Sequence, residues 1–317
     1  MHRFLIVLIC ALAAACQTAP RPRLPDYQLT DLTGAYAAFF DRTQGMAPDA
    51  RVAAFRAEME PLFPGFYDAA RMEGRTQARY DAAIARSFEQ FPERRAAILH
   101  SAAQFQSMLQ PAISSFAEAF PDFHHIGRIY LVHSIGEMDG GTRDINGKSY
   151  FIFGADVIAL YHTSDNERPF FHHELFHVYH AQFFTDCDPL WCSLWQEGLA
   201  VYVSEQLNPG ATDAQMSLTI PQPIRPAVDA DPARATCAVS ALLLSANHDD
   251  YSRVFFGDAH LDGLPARVGY YVGYLAVKEA ARTHSLRELA HMNHEQALPV
   301  LQAALASLAT CPAAAGH

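Results

Sequence analysis

The segment Pro169-Phe170-Phe171-His172-His173-Glu174-Leu175-Phe176-His177 decides how this chain is read. Pro169 suits the first turn of a helix, and Asp165 and Asn166 just ahead of it are candidate caps. On a helix, positions four apart lie on one face, about 5–6 Å from each other. His173 and His177 are thus a pair of imidazoles able to hold one metal ion. Glu174 is placed to reach water on that ion, and this HExxH pattern has the spacing of a catalytic zinc site. The rest of the helix is apolar on nearly every face, so it is expected to be buried. A charged motif inside a buried helix requires a reason. The competing reading is a chance match, because the chain carries 16 histidines.

A third ligand would separate the two readings, and Glu197 supplies one. Trp195-Gln196-Glu197-Gly198-Leu199-Ala200-Val201-Tyr202 opens a second helix, introduced by Asp188-Pro189 and stopped by Asn208-Pro209-Gly210. A short link near Thr185–Pro189 makes the two helices antiparallel neighbours. His177 and Glu197 each lie roughly 10 Å from that turn at 1.5 Å per residue, which sets them opposite each other. Two histidines and a glutamate with the fourth position open form a catalytic rather than a closed structural arrangement.

The remaining candidates lack this geometry. His180 lies roughly 10 Å along the helix from His173 and is assigned to the core or to support of the ligands. His172 points away from His173. Glu205 reads as an exposed helical glutamate. His124, His125, His133 and His162 have no spacing partner and read as structural or exposed.

HExxH, nineteen intervening residues and then Glu resembles the gluzincin metallopeptidases. The segment from Trp195 to Glu205 is similar to the second motif of membrane-alanyl-aminopeptidase-like enzymes. Gly269-Tyr270-Tyr271-Val272-Gly273-Tyr274 resembles the GYxxGY of bacterial predicted zinc proteases. The likeness covers roughly 128–281. It implies a zincin-like fold, a zinc ion on His173, His177 and Glu197, and hydrolysis of a peptide or protein substrate with Glu174 as general base. It also implies a tyrosine at the developing oxyanion, Tyr270 first and Tyr274 second, set against plain aromatic packing. Two features depart from the pattern. Val201 stands where thermolysin-like enzymes carry an acidic residue. Gly136-Glu137-Met138-Asp139-Gly140 is only superficially like the motif that holds a free amino terminus, which argues against exopeptidase activity. On the residues alone, a catalytically inactive zincin-fold lipoprotein that binds a partner or holds zinc stays open, as does another zinc-assisted hydrolase. The intact Glu174 counts against the former.

Elsewhere the pattern implies an α+β chain. Residues 32–125 read as a helical region, with apolar positions such as Tyr36, Phe39, Phe40, Val52, Phe55, Met59 and Leu62 recurring at helical spacing, and with Pro61, Pro64 and Pro92 as interruptions. Residues 126–317 read as the zincin-like region, a small sheet plus the HExxH and Glu helices. Its strands are expected at Ile129–Val132 and Ser149–Phe153, joined by a long Gly- and Asp-rich loop, with a third at Val157–Tyr161. An extended substrate would pair with an edge near Phe151–Gly154. A weakly patterned stretch from Asn208 to about Leu264 precedes two helices near Pro265–Thr283 and Ser285–Leu308.

The amino terminus speaks to location. Met1-His2-Arg3 and the apolar run Phe4–Ala15 form a signal peptide over 1–15, ending Leu12-Ala13-Ala14-Ala15-Cys16. Small residues before Cys16 resemble a bacterial lipobox, although Leu12 sits one position early. Cys16 is the expected lipidation site, and 16–31 the linker of a periplasm-facing membrane lipoprotein in the cell envelope. An exported chain meets oxidising conditions, so Cys187, Cys192, Cys237 and Cys311 suggest two disulfides. Of three connectivities, Cys187–Cys192 with Cys237–Cys311 is favoured, the alternative being free thiols. A net charge of −11 without clustered Lys and Arg argues against a nucleic-acid partner.

Overall fold

A computed structural model describes residues 24–311 except 73 and 163–165. The signal peptide, Cys16 and most of the linker lie outside the described residues. Asp26–Asp31, expected to belong to that linker, is instead strand β1. It is followed by helices α1 (Thr33–Arg42), α2 (Pro48–Met59) and α3 (Gln77–Ala119). The 43-residue α3 runs through Pro92 and Pro111 without breaking, contrary to the expectation for Pro92. Both prolines are exposed, so their rings stand on the solvent side of the helix and not in the core.

Strands β2 (His125–Val132), β3 (Gly140–Ile145) and β4 (Lys148–Gly154) join β1 in a four-stranded sheet ordered β1-β2-β4-β3. β2 runs parallel to both β1 and β4, whereas β3 and β4 are antiparallel. The expected long loop thus contains a strand. Ile145 pairs with Lys148 across Asn146-Gly147, both at positive φ (52° and 73°). That is the backbone a two-residue hairpin turn demands, and Asn-Gly is its usual composition. Val157–Tyr161 is not a third strand but part of helix α4 (Ala155–Tyr161). β4 is already paired on both sides, and the bend into α4 lets Asp156 accept from the backbone N–H of Ser134 (2.6 Å) and Gly136 (2.7 Å).

The two predicted metal helices are α5 (Arg168–His180) and α6 (Leu190–Leu207). Pro169 occupies the first turn, as expected, but the N-cap is Glu167 without a side-chain cap; Asn166 ahead of it accepts from Arg168 N at 3.3 Å, and Asp165 lies outside the described residues. The weakly patterned stretch folds into α7 (Arg225–Asp229), α8 (Pro232–Ser240) and α9 (His248–Phe255). α10 (Val268–Ala280), α11 (Leu286–His291) and α12 (His294–Leu308) follow. Cys187 bonds Cys192 in the link between α5 and α6, and Cys237 bonds Cys311 across 74 residues. Closing so long a loop stabilises by about 4 kcal/mol in the chain-entropy picture.

One hydrophobic core runs from the helical region into the rest. Phe105 of α3 meets Phe153 of β4 (4.9 Å between ring centroids) and Phe171 of α5 (5.6 Å). The boundary expected near residue 125 is therefore a change of texture, not a break in the core.

Candidate metal centre

α5 presents His173 and His177 from one face, and α6 brings Glu197 to them. The two His Nε2 atoms lie 3.1 Å apart, and Glu197 Oε2 is 3.1 Å from His173 and 3.3 Å from His177. An ion with bonds of about 2.0–2.1 Å in tetrahedral geometry holds its ligand atoms roughly 3.3 Å apart, so the triad fits such an ion. His173, His177 and Glu197 form a group that could hold a metal ion.

The position of Glu197 depends on a backbone contact. A Cβ on Gly198 would fall 2.2 Å from the carbonyl carbon of Gly273, so α6 and α10 cross with no side chain between them. The glycine after Glu197 and the second glycine of GYxxGY thus serve one crossing. That crossing carries Tyr270 to the centre, where its ring centroid is 6.3 Å from that of His173. The Arg267 guanidinium lies over the same ring, 4.2 Å from its centroid. Burial raises the Tyr270 phenol well above its ordinary range, so it keeps its proton.

Glu174 is buried and lines the cleft. Burial raises its carboxyl, His173 and His177 pull the other way, and Asp139 and Glu197 add to the rise. Burial would also raise Glu197, but His177 and His173 outweigh it and hold that carboxyl well below the usual range. His177 is lifted to about 9 because the Glu197 carboxylate overcomes the effect of burial. A metal ion would compete with those protons for the same lone pairs.

The cleft, of about 370 Å³, is bounded by Glu137–Arg143, by Phe170 and the triad, and by Ser217, Tyr251, Phe255, Phe256, Arg267 and Tyr270. Its edge strand is β3, not Phe151–Gly154, because β4 lies between β2 and β3. A Cβ on Gly140 would press to 3.0 Å on Glu174, so the strand passes close over the carboxylate. Asp139 is held from behind by His162 at 2.9 Å, and Glu167 lies 3.3 Å from the other ring nitrogen. Burial would lower His162, but these two carboxylates raise it to about 9 and keep it charged. Burial would raise Asp139, but His162 holds it at about 2.

Tyr274 is not brought to the centre. Its hydroxyl donates to Glu205 and accepts from Lys278, both at 2.8 Å, one turn along α10 from Tyr270. Glu205 is half-buried as its acceptor rather than exposed. His172 and His180 are core residues, the first beside Ser115 and Asn208, the second donating to Ala290 O at 2.9 Å. His133 stacks on Tyr36, 3.9 Å between centroids. Sequence reasoning missed β3, Arg143, Tyr251 and Arg267. Only β3 carried a local signal, its Asn146-Gly147 turn. Comparison with family models, with curated proteins and with solved structures finds no match to this chain.

Proposed function

We propose that this protein is a zinc-dependent peptidase of the zincin type, exported and anchored in a bacterial envelope membrane through Cys16. One observation carries the reading: Glu174, buried with a raised proton affinity, stands beside the convergent donors of His173, His177 and Glu197. Among the described residues it forms neither a salt bridge nor a hydrogen bond. A protein that only stored metal would gain nothing from burying such a carboxylate.

Two imidazoles and one carboxylate suit zinc and leave a position open. Zinc, when bound, supplies Lewis acidity that polarises a carbonyl and acidifies water. Glu174 accepts the proton of the attacking water and returns it to the leaving amine, a task helped by a pKa raised toward neutrality. The Tyr270 hydroxyl donates to the oxyanion that develops on the carbonyl oxygen. An extended peptide adds to the open edge of β3, along Gly140–Arg143.

The test is cleavage of a peptide library by wild type, Glu174→Gln and Glu197→Gln, with zinc content measured on each. Glu174→Gln should retain zinc and lose about three or more orders of magnitude in turnover, whereas Glu197→Gln should lose both. Tyr270→Phe should cost about 100-fold in kcat. Full activity in Glu174→Gln would refute the general base. Tight zinc binding by a wild type that cleaves nothing would favour a binding protein.

A further inference from the structure

Charged groups around the cleft are unevenly partnered. Its carboxylates other than Glu174 are answered. Glu137 takes Arg71 at 2.5 Å and Arg75 at 3.1 Å from the helical region. Asp139 has His162, and Glu197 has the two ligand histidines. Its two guanidinium groups have no carboxylate at ion-pair distance among the described residues, although Tyr270, Asp139 and Glu197 together outweigh the cost of burying Arg267. Arg143 on β3 donates to the carbonyl of Thr142 at 2.8 Å. It folds over Gly141, where a Cβ would sit 3.2 Å from its Nη1. Arg267 donates to the carbonyls of Ser217 and Ile220, each at 3.3 Å, and covers Tyr270. Neither forms a salt bridge among the described residues.

Arg267 also stands at φ 60° and ψ 25°, a left-handed conformation unfavourable for a side chain of this kind. Strained backbone of this sort persists where the surrounding structure enforces it, and often marks a functional position. The two cations act on different parts of the cleft. Arg143 bears on His177 and Tyr251, and Arg267 on Tyr270, Asp139 and Glu197. A guanidinium group with no carboxylate at ion-pair distance can take one from a ligand.

We infer that the cleft selects peptides bearing a carboxylate next to the scissile bond, either an Asp or Glu side chain or a free carboxy terminus, gripped by Arg143 or Arg267. Planar guanidinium groups suit this because they bind carboxylates through paired hydrogen bonds. The inference rests on the peptidase reading for its substrate class, but its test does not require turnover.

Zinc-loaded full-length Glu174→Gln protein serves as the trap, and fluorescent peptides are compared in matched pairs. One pair differs by Glu against Gln, the other by a free against an amidated carboxy terminus. Anisotropy should show the carboxylate form of at least one pair binding about 10- to 100-fold tighter. Which pair discriminates identifies the carboxylate. Adding Arg143→Gln or Arg267→Gln should erase that preference while the amide peptide binds as before. Arg143, on an edge strand, keeps the test available should the Arg267 variant fail to fold. Equal binding within both pairs overturns the inference, as does no binding of any peptide. A loss that falls equally on carboxylate and amide forms in every folded variant overturns it too, since that is the mark of a merely structural arginine. Carboxylate preference in the trap with no cleavage by wild type would uphold the inference and refute the peptidase.

Discussion

Helix α5 carries two pairs of histidines that differ in everything except their backbone. His173 and His177 turn into a cleft, with both Nε2 atoms on the Glu197 carboxylate. His172 and His180 turn into the core. His172 lies against Ala112 O (3.2 Å) and Ser115 while accepting from the Asn208 amide. His180 donates to Ala290 O and stacks between Phe176 and Phe184. Burial lowers both to about 4, so they stay neutral at ordinary pH. Each neutral imidazole places one ring nitrogen on a fixed carbonyl, although Nε2 of His180 has no hydrogen-bond partner among the described residues. Shared access to a carboxylate and an open cleft, not residue type, makes the other pair a candidate ligand set.

The strongest test of that contrast is His177→Ala. It should abolish stoichiometric zinc retention on dialysis and cut turnover at least about 1000-fold, while the metal-free fold survives. Zinc retained at one equivalent would remove His177 from the ligand set. His172→Ala should do the reverse, keeping the metal and lowering stability by about 3 kcal/mol, because Asn208 and Ala112 lose their partner and a cavity opens. Urea denaturation with zinc analysis distinguishes the two. Loss of zinc at wild-type stability would invert the assignment.

His162 sharpens the comparison, being a buried histidine that is charged. Asp139 is partly open to solvent, which discounts the usual penalty, so His162→Gln should cost about 2 kcal/mol. Its folded pKa of about 9 stands above the ordinary 6.5. Its contribution is therefore complete below pH 6.5 and is lost as pH rises through 9. The stability gap between wild type and variant should narrow over that window. A gap constant across it would mean that the ring is neutral. The smallest effect is expected for Tyr274→Phe, about 1 kcal/mol of stability with kcat unchanged, since its hydroxyl serves Glu205 and Lys278. A fall in kcat matching that of Tyr270→Phe would return Tyr274 to the site.

Much of the candidate centre was legible because its determinants are local. His173, Glu174 and His177 follow from helical spacing, and Glu197 from a hairpin whose second helix starts at Leu190 as expected, although the first stops at His180 and the link begins four residues earlier than Thr185. β3 was equally local, but its Gly and Asp were read as loop, and the Asn146-Gly147 turn was passed over. Val157–Tyr161 could not be resolved that way, since a short β-branched run is ambiguous between strand and helix. Its helix is selected by Asp156, whose carboxylate reaches back to the N–H groups of the 134–136 segment.

The sequence by itself determined what lies within one helix or one hairpin: the ligand spacing, the adjacent base, and the cysteines that the structure joins around the hairpin turn. The tertiary structure alone decided which tyrosine reaches the centre, because Tyr270 and Tyr274 stand on one helical face and differ only in what opposes them. Only the close crossing of α6 over α10 at Gly198 and Gly273 gives Tyr270 the cleft and Tyr274 the Glu205 carboxylate. It alone also brought Arg143 and Arg267, 124 residues apart in the chain, to one cavity. Periodicity reports which face of an element is buried; it carries no information about which distant element that face will meet.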